Sequence, residues 1–374
     1  MSIIKRTIQS KIEQNLWKGK VIVVYGPRQV GKTTLVKQIQ SKYSDSIYFN
    51  CDEPDIALSF QNKTSTQLKA LIGNVKLVII DEAQRVENIG ITLKLLVDNY
   101  PEIQVIATGS SSFDLSNTIN EPLTGRVIDY ILYPFSWLEL SQIFSSIELQ
   151  RLKDWFLIYG TYPEVVFNMG QARDKITRIA RNYLYKDVLI FQDLRSDEKI
   201  HRLLQALSLQ VGQEVSYTEL ASLVELDQKT VSKYIQILEK SFVIYRLPPL
   251  SRNPRKEISK SRKVYFFDNG VRNALINNFN DVELRNDKGS LFEQFVISQK
   301  IAANGNSERF VNKFFWRTKN QSEIDYIEEI DGALNGFEIK YGDKFPKEPK
   351  PWKELYSNST FQVVNRDNWE EFLK

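Results

Sequence analysis

The sequence has little of what metal and nucleophile chemistry most often draws on. It holds one cysteine, Cys51, and one histidine, His201, in 374 residues. A lone cysteine excludes an internal disulfide framework and fits a reducing compartment. A lone histidine leaves little to build histidine-ligated metal clusters or a Ser-His-Asp triad. No uninterrupted apolar run is long enough to span a bilayer. The opening MSIIKRTIQSKIEQN is polar and periodic, without the apolar core of a secretory signal. The expectation is a cytoplasmic protein with no membrane partner. Charge of one sign is also lacking: 50 basic residues face 46 acidic ones, a net charge of +4. That balance permits a nucleic-acid partner without arguing for one.

What is present is a globular composition spread over more chain than one ordinary core accommodates, so two or three domains are expected. The most informative stretch is Gly26 to Thr34, GPRQVGKTT, directly after the apolar run Val21 to Val24. It fits G-x-x-x-x-G-K-[ST] between a buried strand and an amphipathic helix, the setting of a phosphate-binding loop. Gly26 and Gly31 let the backbone curl, so that the amides of Gly26, Pro27's neighbours Arg28, Gln29 and Val30, and then Gly31, Lys32, Thr33 and Thr34 surround an anion. Proline itself brings no N–H. The helix start adds its own amides and positive dipole end. Lys32 is expected to reach the β- and γ-phosphates of ATP, and the Thr33 hydroxyl to help hold Mg²⁺.

Apolar runs alternating with helical patterns predict an α/β domain over residues 1–134, with a parallel sheet covered on both faces. Its strands are Val21–Val24, Ser46–Asn50, Lys76–Ile80, Gln104–Ala107 and Val127–Leu132. Residues 135–213 read as helical, a piece suited to act as a lid over the nucleotide. Residues 214–285 read as a winged helix: helices over Thr218–Val224 and Asp227–Glu239, with Asp227 as N-cap, then strands over Phe242–Leu247 and Val264–Phe267. Residues 286–374 begin with a helix, Leu291–Ala302, followed by strands over Phe314–Arg317, Ile324–Ile327 and Gly336–Tyr341.

Asp81 and Glu82 close the third strand, where Asp81 would support Mg²⁺ and Glu82 would polarise an attacking water. A strand meeting solvent also ends in acids, and the upstream loop is what favours the chemical reading. The fourth strand ends in Thr108, Ser110 and Ser111, any of which is placed to sense a γ-phosphate; Ser-rich segments are ordinary loop material too. Arg126, in LTGR, is a candidate arginine finger toward a neighbouring subunit's nucleotide, or else a structural ion pair.

GPRQVGKTT, LVIIDEAQ, ATGSSS and LTGR, in this order and spacing, resemble the bacterial and archaeal AAA-type ATPases with a DUF4143-like C-terminal region. YGTYPEVV, the helix-turn-helix block and FEIK extend the resemblance over nearly the whole chain. It implies an ATPase core, a lid, a winged helix and a nuclease-like C-terminal domain. Thr161 departs from it, standing where a second glycine is expected in the lid turn.

Near the end, Glu323 and Asp325 fall on one face of a strand, and Glu338 and Lys340 share a face of the next. An acid followed by E-x-K on the neighbouring strand resembles the PD-(D/E)xK nuclease pattern. Asp325 and Glu338 would hold a second Mg²⁺ or Mn²⁺, Lys340 would activate water, and Glu293 corresponds to the extra acid on the first helix. Spacing by itself favours alternating surface charge on two neighbouring strands. Lys229, Thr230 and Lys233 open the second winged-helix helix, and Arg252, Arg255 and Lys256 belong to a basic stretch running to Lys263; both are candidate DNA contacts. A scaffold role for the same fold remains open. Three readings stand: a DNA-acting ATPase that cuts, an ATPase that controls a protein partner or homo-oligomer, and a non-cutting DNA-binding regulator.

Overall fold

The computed structural model describes residues 4–110, 123–183, 197–251, 262–318, 320, 322–343 and 345–374. It divides into two compact units, one ending at Pro134 and also holding Lys240–Phe242, the other made of the rest from Phe135 onward.

The first unit runs α1 (Thr7–Gln14), β1 (Val21–Tyr25), α2 (Lys32–Gln40), β2 (Ser46–Asn50), α3 (Pro54–Phe60), α4 (Ser65–Ile72), β3 (Leu77–Asp81), α5 (Ile89–Asn99), β4 (Gln104–Gly109) and β5 (Val127–Ile131). Its sheet has the order β2-β3-β4-β1-β5, and every pairing is parallel. All five residues of β1 are buried, as are those of β3. That is why both strands read as continuous apolar runs instead of alternating ones. Ile8 and Ile12 of α1 and Leu35, Val36 and Ile39 of α2 pack on one face of β1, against Ile22 and Val24. The five strands lie where the apolar runs place them. Helices α3 and α4 carry weaker signals, Pro54 at a helix start and a capping box between Thr64 and Gln67, and the sequence reading passes over them.

The order leaves β1 between β4 and β5, with β4 separating it from β3. Loops leaving the carboxyl ends of β1 and β3 therefore diverge around a crevice, where open α/β sheets bind ligands.

The second unit opens with helices, α6 (Trp137–Leu140), α7 (Ser146–Tyr159), α8 (Pro163–Val166), α9 (Ala172–Tyr183) and α10 (Asp197–Leu209). Next come β6 (Glu214–Val215), α11 (Tyr217–Leu223), α12 (Gln228–Lys240), β7 (Ile244–Leu247), β8 (Arg262–Phe266) and α13 (Asn269–Leu275). Strands β6, β8 and β7 form an antiparallel sheet in that order. The chain closes with α14 (Lys288–Asn306), β9 (Asn312–Arg317), β10 (Glu323–Ile330), β11 (Ala333–Ile339), α15 (Lys350–Leu355), β12 (Thr360–Val364) and α16 (Trp369–Phe372), whose strands are ordered β12-β11-β10-β9.

The helical piece, the three-stranded sheet and the C-terminal sheet share one packed unit. Helix α13 packs against α7, α9 and α10. Just after β7, Phe315 N–H donates to Pro248 O at 3.0 Å and Leu250 N–H to Phe315 O at 2.7 Å, so the chain there pairs with β9. The turn after α7 is very tight. Gly160, at φ +74, approaches Asp268 so closely that a Cβ would lie 2.0 Å from Oδ1. Thr161 needs no glycine: its φ is not positive, and its N–H donates to Asp268 Oδ2 at 2.7 Å. The departure flagged in the sequence therefore costs the turn nothing, because Gly160 supplies the conformation that only glycine tolerates.

Candidate active site

The loop from Gly26 to Gly31 leaves the carboxyl end of β1 and delivers the chain into α2. Gly26 has φ +147, and a Cβ there would lie 2.3 Å from Leu132 O, so only glycine lets the loop start so close to the chain leaving β5. Gly31 caps α2 in the left-handed region, φ +98. Leu35 N–H donates to Gly31 O at 2.9 Å, which sets the helix register so that the first-turn amides face the loop's concavity. The Lys32 side chain is 4% exposed, and its Nζ donates to Gly26 O and Pro27 O, both at 2.9 Å. The ammonium is thereby held over the mouth of the cradle. Behind the loop, buried Arg6 donates to Val30 O at 2.9 Å and to Tyr133 O at 2.5 Å. Arg6 carries no distinguishing signal in the sequence; it sits before a short helix far from the loop.

Asp81, at the end of β3, is 2% exposed and is the hub of the acidic side. Thr33 Oγ1 donates to its Oδ2 at 2.7 Å, Tyr48 OH to Oδ2 at 2.6 Å, and Thr108 Oγ1 to Oδ1. The register of β3 against β4 pairs Ile80 with Ala107, which sets Thr108 beside Asp81. Burial, then the hydrogen bond to Asp81, pushes the Tyr48 phenol well above its ordinary value, so it donates and does not ionise. Burial followed by the charge of Asp81 pushes the Cys51 thiol up to about 12.

Glu82 adopts a left-handed backbone, φ 54, uncommon for a residue with a side chain. Its N–H donates to Thr108 Oγ1 at 3.1 Å. Gln84 Nε2 donates to Glu82 Oε2 at 2.5 Å and to Ser110 Oγ at 3.2 Å, tying the acid to the end of β4. Tyr48 and Gln84 went unremarked in the sequence. Gln84 lies within DEAQ and could have been weighed, whereas Tyr48 is reached only through the β2–β3 register.

Other sequence candidates lie elsewhere. Arg126 precedes β5 at the end of the sheet opposite the phosphate loop, since Val127 pairs with Val21 at the start of β1. The separation is roughly 15 Å along the strand. Its Nε donates to Asp98 Oδ1 at 2.6 Å. Within its own chain Arg126 does not reach the cradle. Ser111, Arg252, Arg255 and Lys256 lie outside the described residues. Lys229 and Lys233 are exposed on α12, while the Thr230 hydroxyl donates to Asp227 Oδ2 at 2.5 Å in the helix cap.

The C-terminal carboxylates do converge. Glu338 Oε1 lies 2.6 Å from Lys340 Nζ, and Lys340 lies 3.5 Å from Asp325 Oδ2. Glu293 Oε1 accepts from Tyr265 OH at 2.6 Å. Lys263, the last residue of the basic stretch offered as a candidate DNA contact, has a side chain only 1% exposed. The period-two pattern of β8 turns it inward beside Tyr265, where it contacts Glu293 at 3.5 Å, Asp325 at 3.3 Å and Glu323. Burial lowers its affinity for the proton, but Glu293, Asp325 and Glu323 more than reverse this and raise it. Burial and then repulsion from Asp325 push Glu293 and Glu338 up to about 7. Among the described residues, no three histidine, cysteine or acidic side chains converge as ligands for a metal ion. A separate cavity of about 540 Å³ in the second unit, walled by Asp154, Trp155, Tyr159 and Arg173, shares no residue with either cluster.

A glycine-framed loop between strand and helix, a lysine over its mouth and a hydroxyl bonded to the acid of a neighbouring strand define a P-loop site of the AAA type. Comparison with known families agrees: residues 18–141 match a family model described as an AAA domain. The chain thus carries an AAA domain and a DUF4143 C-terminal region, the latter matched over residues 288–371; a domain of unknown function, DUF8612, matches residues 150–282 between them. An uncharacterised protein of Mycobacterium tuberculosis is 29% identical over 345 residues, 91% of this chain and 74% of the relative. An uncharacterised protein of Methanocaldococcus jannaschii is 27% identical over 347 residues, covering 86% and 75%. Among solved structures, the Walker-type ATPase of Pyrococcus abyssi covers 73% of this chain and 96% of its own, at 15% identity and a TM-score of 0.48. No described helix is long and apolar enough to cross a membrane.

Proposed function

We propose that the first unit binds ATP with Mg²⁺ and hydrolyses it to ADP and phosphate. The observation that carries this reading is the bond between Thr33 and Asp81, which brings a helix-start hydroxyl and a strand-end carboxylate together beside the lysine-capped loop. Both are hard oxygen donors, the kind Mg²⁺ takes, so the residues fit the ion. When bound, that ion would neutralise charge on the β- and γ-phosphate oxygens. The amides of the loop and of α2 hold the phosphates, and Lys32 exchanges its contacts with loop carbonyls for phosphate oxygens. Glu82, fixed by Gln84 and by the left-handed turn, orients the attacking water. The water oxygen bonds to the γ-phosphorus as the bond to the β–γ bridging oxygen breaks. Thr108, holding both Asp81 and the Glu82 amide, is the sensor candidate best connected to the acids; Ser110 reaches Glu82 alone, through Gln84. Arg126 remains a candidate finger toward another subunit, a role that requires leaving Asp98. Glu82→Gln should bind ATP with unchanged affinity while phosphate release falls at least about 100-fold; release at the parent rate refutes the role of Glu82.

We infer that nucleotide state is coupled to a partner through the second unit. Its α10-β6-α11-α12-β7-β8 order is that of a winged helix, with Lys229 and Lys233 one turn apart on the exposed side of α12, so that DNA is the favoured partner. ATP turnover measured with and without duplex DNA tests this: salt-sensitive stimulation supports it. Turnover indifferent to DNA, together with nucleotide-dependent assembly, favours a protein partner or a homo-oligomer.

A further inference from the structure

The helix-strand-strand-strand-helix-strand order of the C-terminal region, with Asp325 on β10 and Glu338 and Lys340 at the end of β11, resembles a nuclease core, and the following inference rests on that likeness. We infer that the Lys263 ammonium stands where such a core holds a divalent cation. The cluster is then a structural ion lattice, and the chain does not cut nucleic acid.

The geometry supports this at Asp325, Glu293 and Glu323, whereas Glu338 keeps Oε1 on Lys340 and leaves Oε2 buried without a hydrogen-bond partner. Asp325 has both oxygens engaged: Oδ1 faces Lys263, while Oδ2 accepts from Ile339 N–H at 2.9 Å and faces Lys340. Glu293 is held by Tyr265 and Lys263, and Glu323 by Lys263 with Arg317 at 3.7 Å on the rim. A divalent ion among these acids would have to displace Lys263, whose side chain is sealed from solvent. A buried ammonium that leaves three carboxylates gives up its charge partners, which makes displacement by an ion unfavourable. The lysine also does mechanical work. It reaches in from β8, so the ion cluster pins the three-stranded sheet to β10, alongside the backbone pairing of residues 248–250 with β9.

The test is a Mn²⁺ titration of the full chain without nucleotide, read by electron paramagnetic resonance. Asp81→Asn is carried in every arm, so that the phosphate loop contributes no metal site. The parent is expected to show no Mn²⁺ site tighter than about 1 mM that Asp325→Asn removes. Lys263→Ala is expected to gain one site, at least about 10-fold tighter, that disappears when Asp325→Asn is added. An Asp325-dependent Mn²⁺ site in the parent overturns the inference, as does Mn²⁺-dependent plasmid nicking lost with Asp325→Asn. A folded Lys263→Ala chain that gains no site overturns it too. If Lys263→Ala does not fold, the parent titration and the nicking assay still decide the question. Failure here leaves ATP binding by the unmodified first unit unaffected, so the two readings fall separately.

Discussion

Thr33 and Asp81, 48 positions apart, share a 2.7 Å hydrogen bond across the carboxyl edge of the parallel sheet. Thr33 opens α2 just after β1 and Asp81 ends β3; β4 lies between those two strands, and its Thr108 holds the other oxygen of the same carboxylate. The acid is therefore aimed by two hydroxyls and by Tyr48 before any nucleotide arrives. Preorganisation of this kind lowers the cost of assembling a metal site when nucleotide binds.

Thr33→Val keeps the volume but removes the hydroxyl, leaving Asp81 with one fewer donor. ATP affinity measured with Mg²⁺ should fall by about 10-fold or more, with a much smaller loss when Mg²⁺ is chelated. Equal losses in both conditions would mean that the hydroxyl serves the fold and not the ion.

Cys51 offers a reporter beside the site. Its thiol is buried, its N–H donates to Asp81 O at 3.0 Å, and burial followed by the charge of Asp81 pushes it up to about 12. Alkylation in the folded protein at pH 8 should run at least about 100-fold slower than in denaturant, and ATP should slow it further. Rapid labelling of the folded chain would contradict both the burial and the shift.

Gly26 and Gly160 test the two close approaches. Gly26→Ala drives a Cβ toward the backbone carbonyl of Leu132, just after β5, and Gly160→Ala drives one onto Asp268, each at a positive φ. Each should cost about 2 kcal/mol or more in chemical denaturation, one loosening the unit that holds the phosphate loop and the other the second unit. A neutral Gly160→Ala would mean that the turn relaxes in a way the fixed Asp268 does not suggest.

Asp268 gives a pH signature. Burial pushes its carboxyl up to about 6, although Thr161 and Val271 N–H groups stabilise the anion in part. Its folded value lies above the unfolded one. Its contribution is therefore fully present below about pH 4 and is lost as pH rises through about 6. Asp268→Asn should flatten that stretch of the stability profile while lowering stability overall, because the amide cannot accept both bonds. A profile unchanged in slope would place the titration elsewhere.

Much of the first unit was legible because buried parallel strands announce themselves as apolar runs and the phosphate loop has a fixed spacing. Asp81 and Glu82 followed from their place at the end of such a run. The partners that aim them did not, since Tyr48, Gln84 and Arg6 acquire meaning only from strand register and the packing of α1. Lys263 shows the opposite failure. In the sequence it closes a run of basic residues, and a single residue of strand alternation turns it from the surface into the center of a carboxylate cluster. Which side of a strand edge a charge occupies is set by register, and local composition does not report it. The second unit was read as separate pieces because nothing in the sequence marks the pairing of residues 248–250 with β9.

The account stands most directly on an ATP titration of the full chain by calorimetry, comparing the parent with Lys32→Ala in the presence of Mg²⁺. Loss of the ammonium over the cradle should weaken binding by about 100-fold, near 3 kcal/mol, with the variant still folded by circular dichroism. Equal affinity in the two proteins, or no binding by the parent, would contradict it.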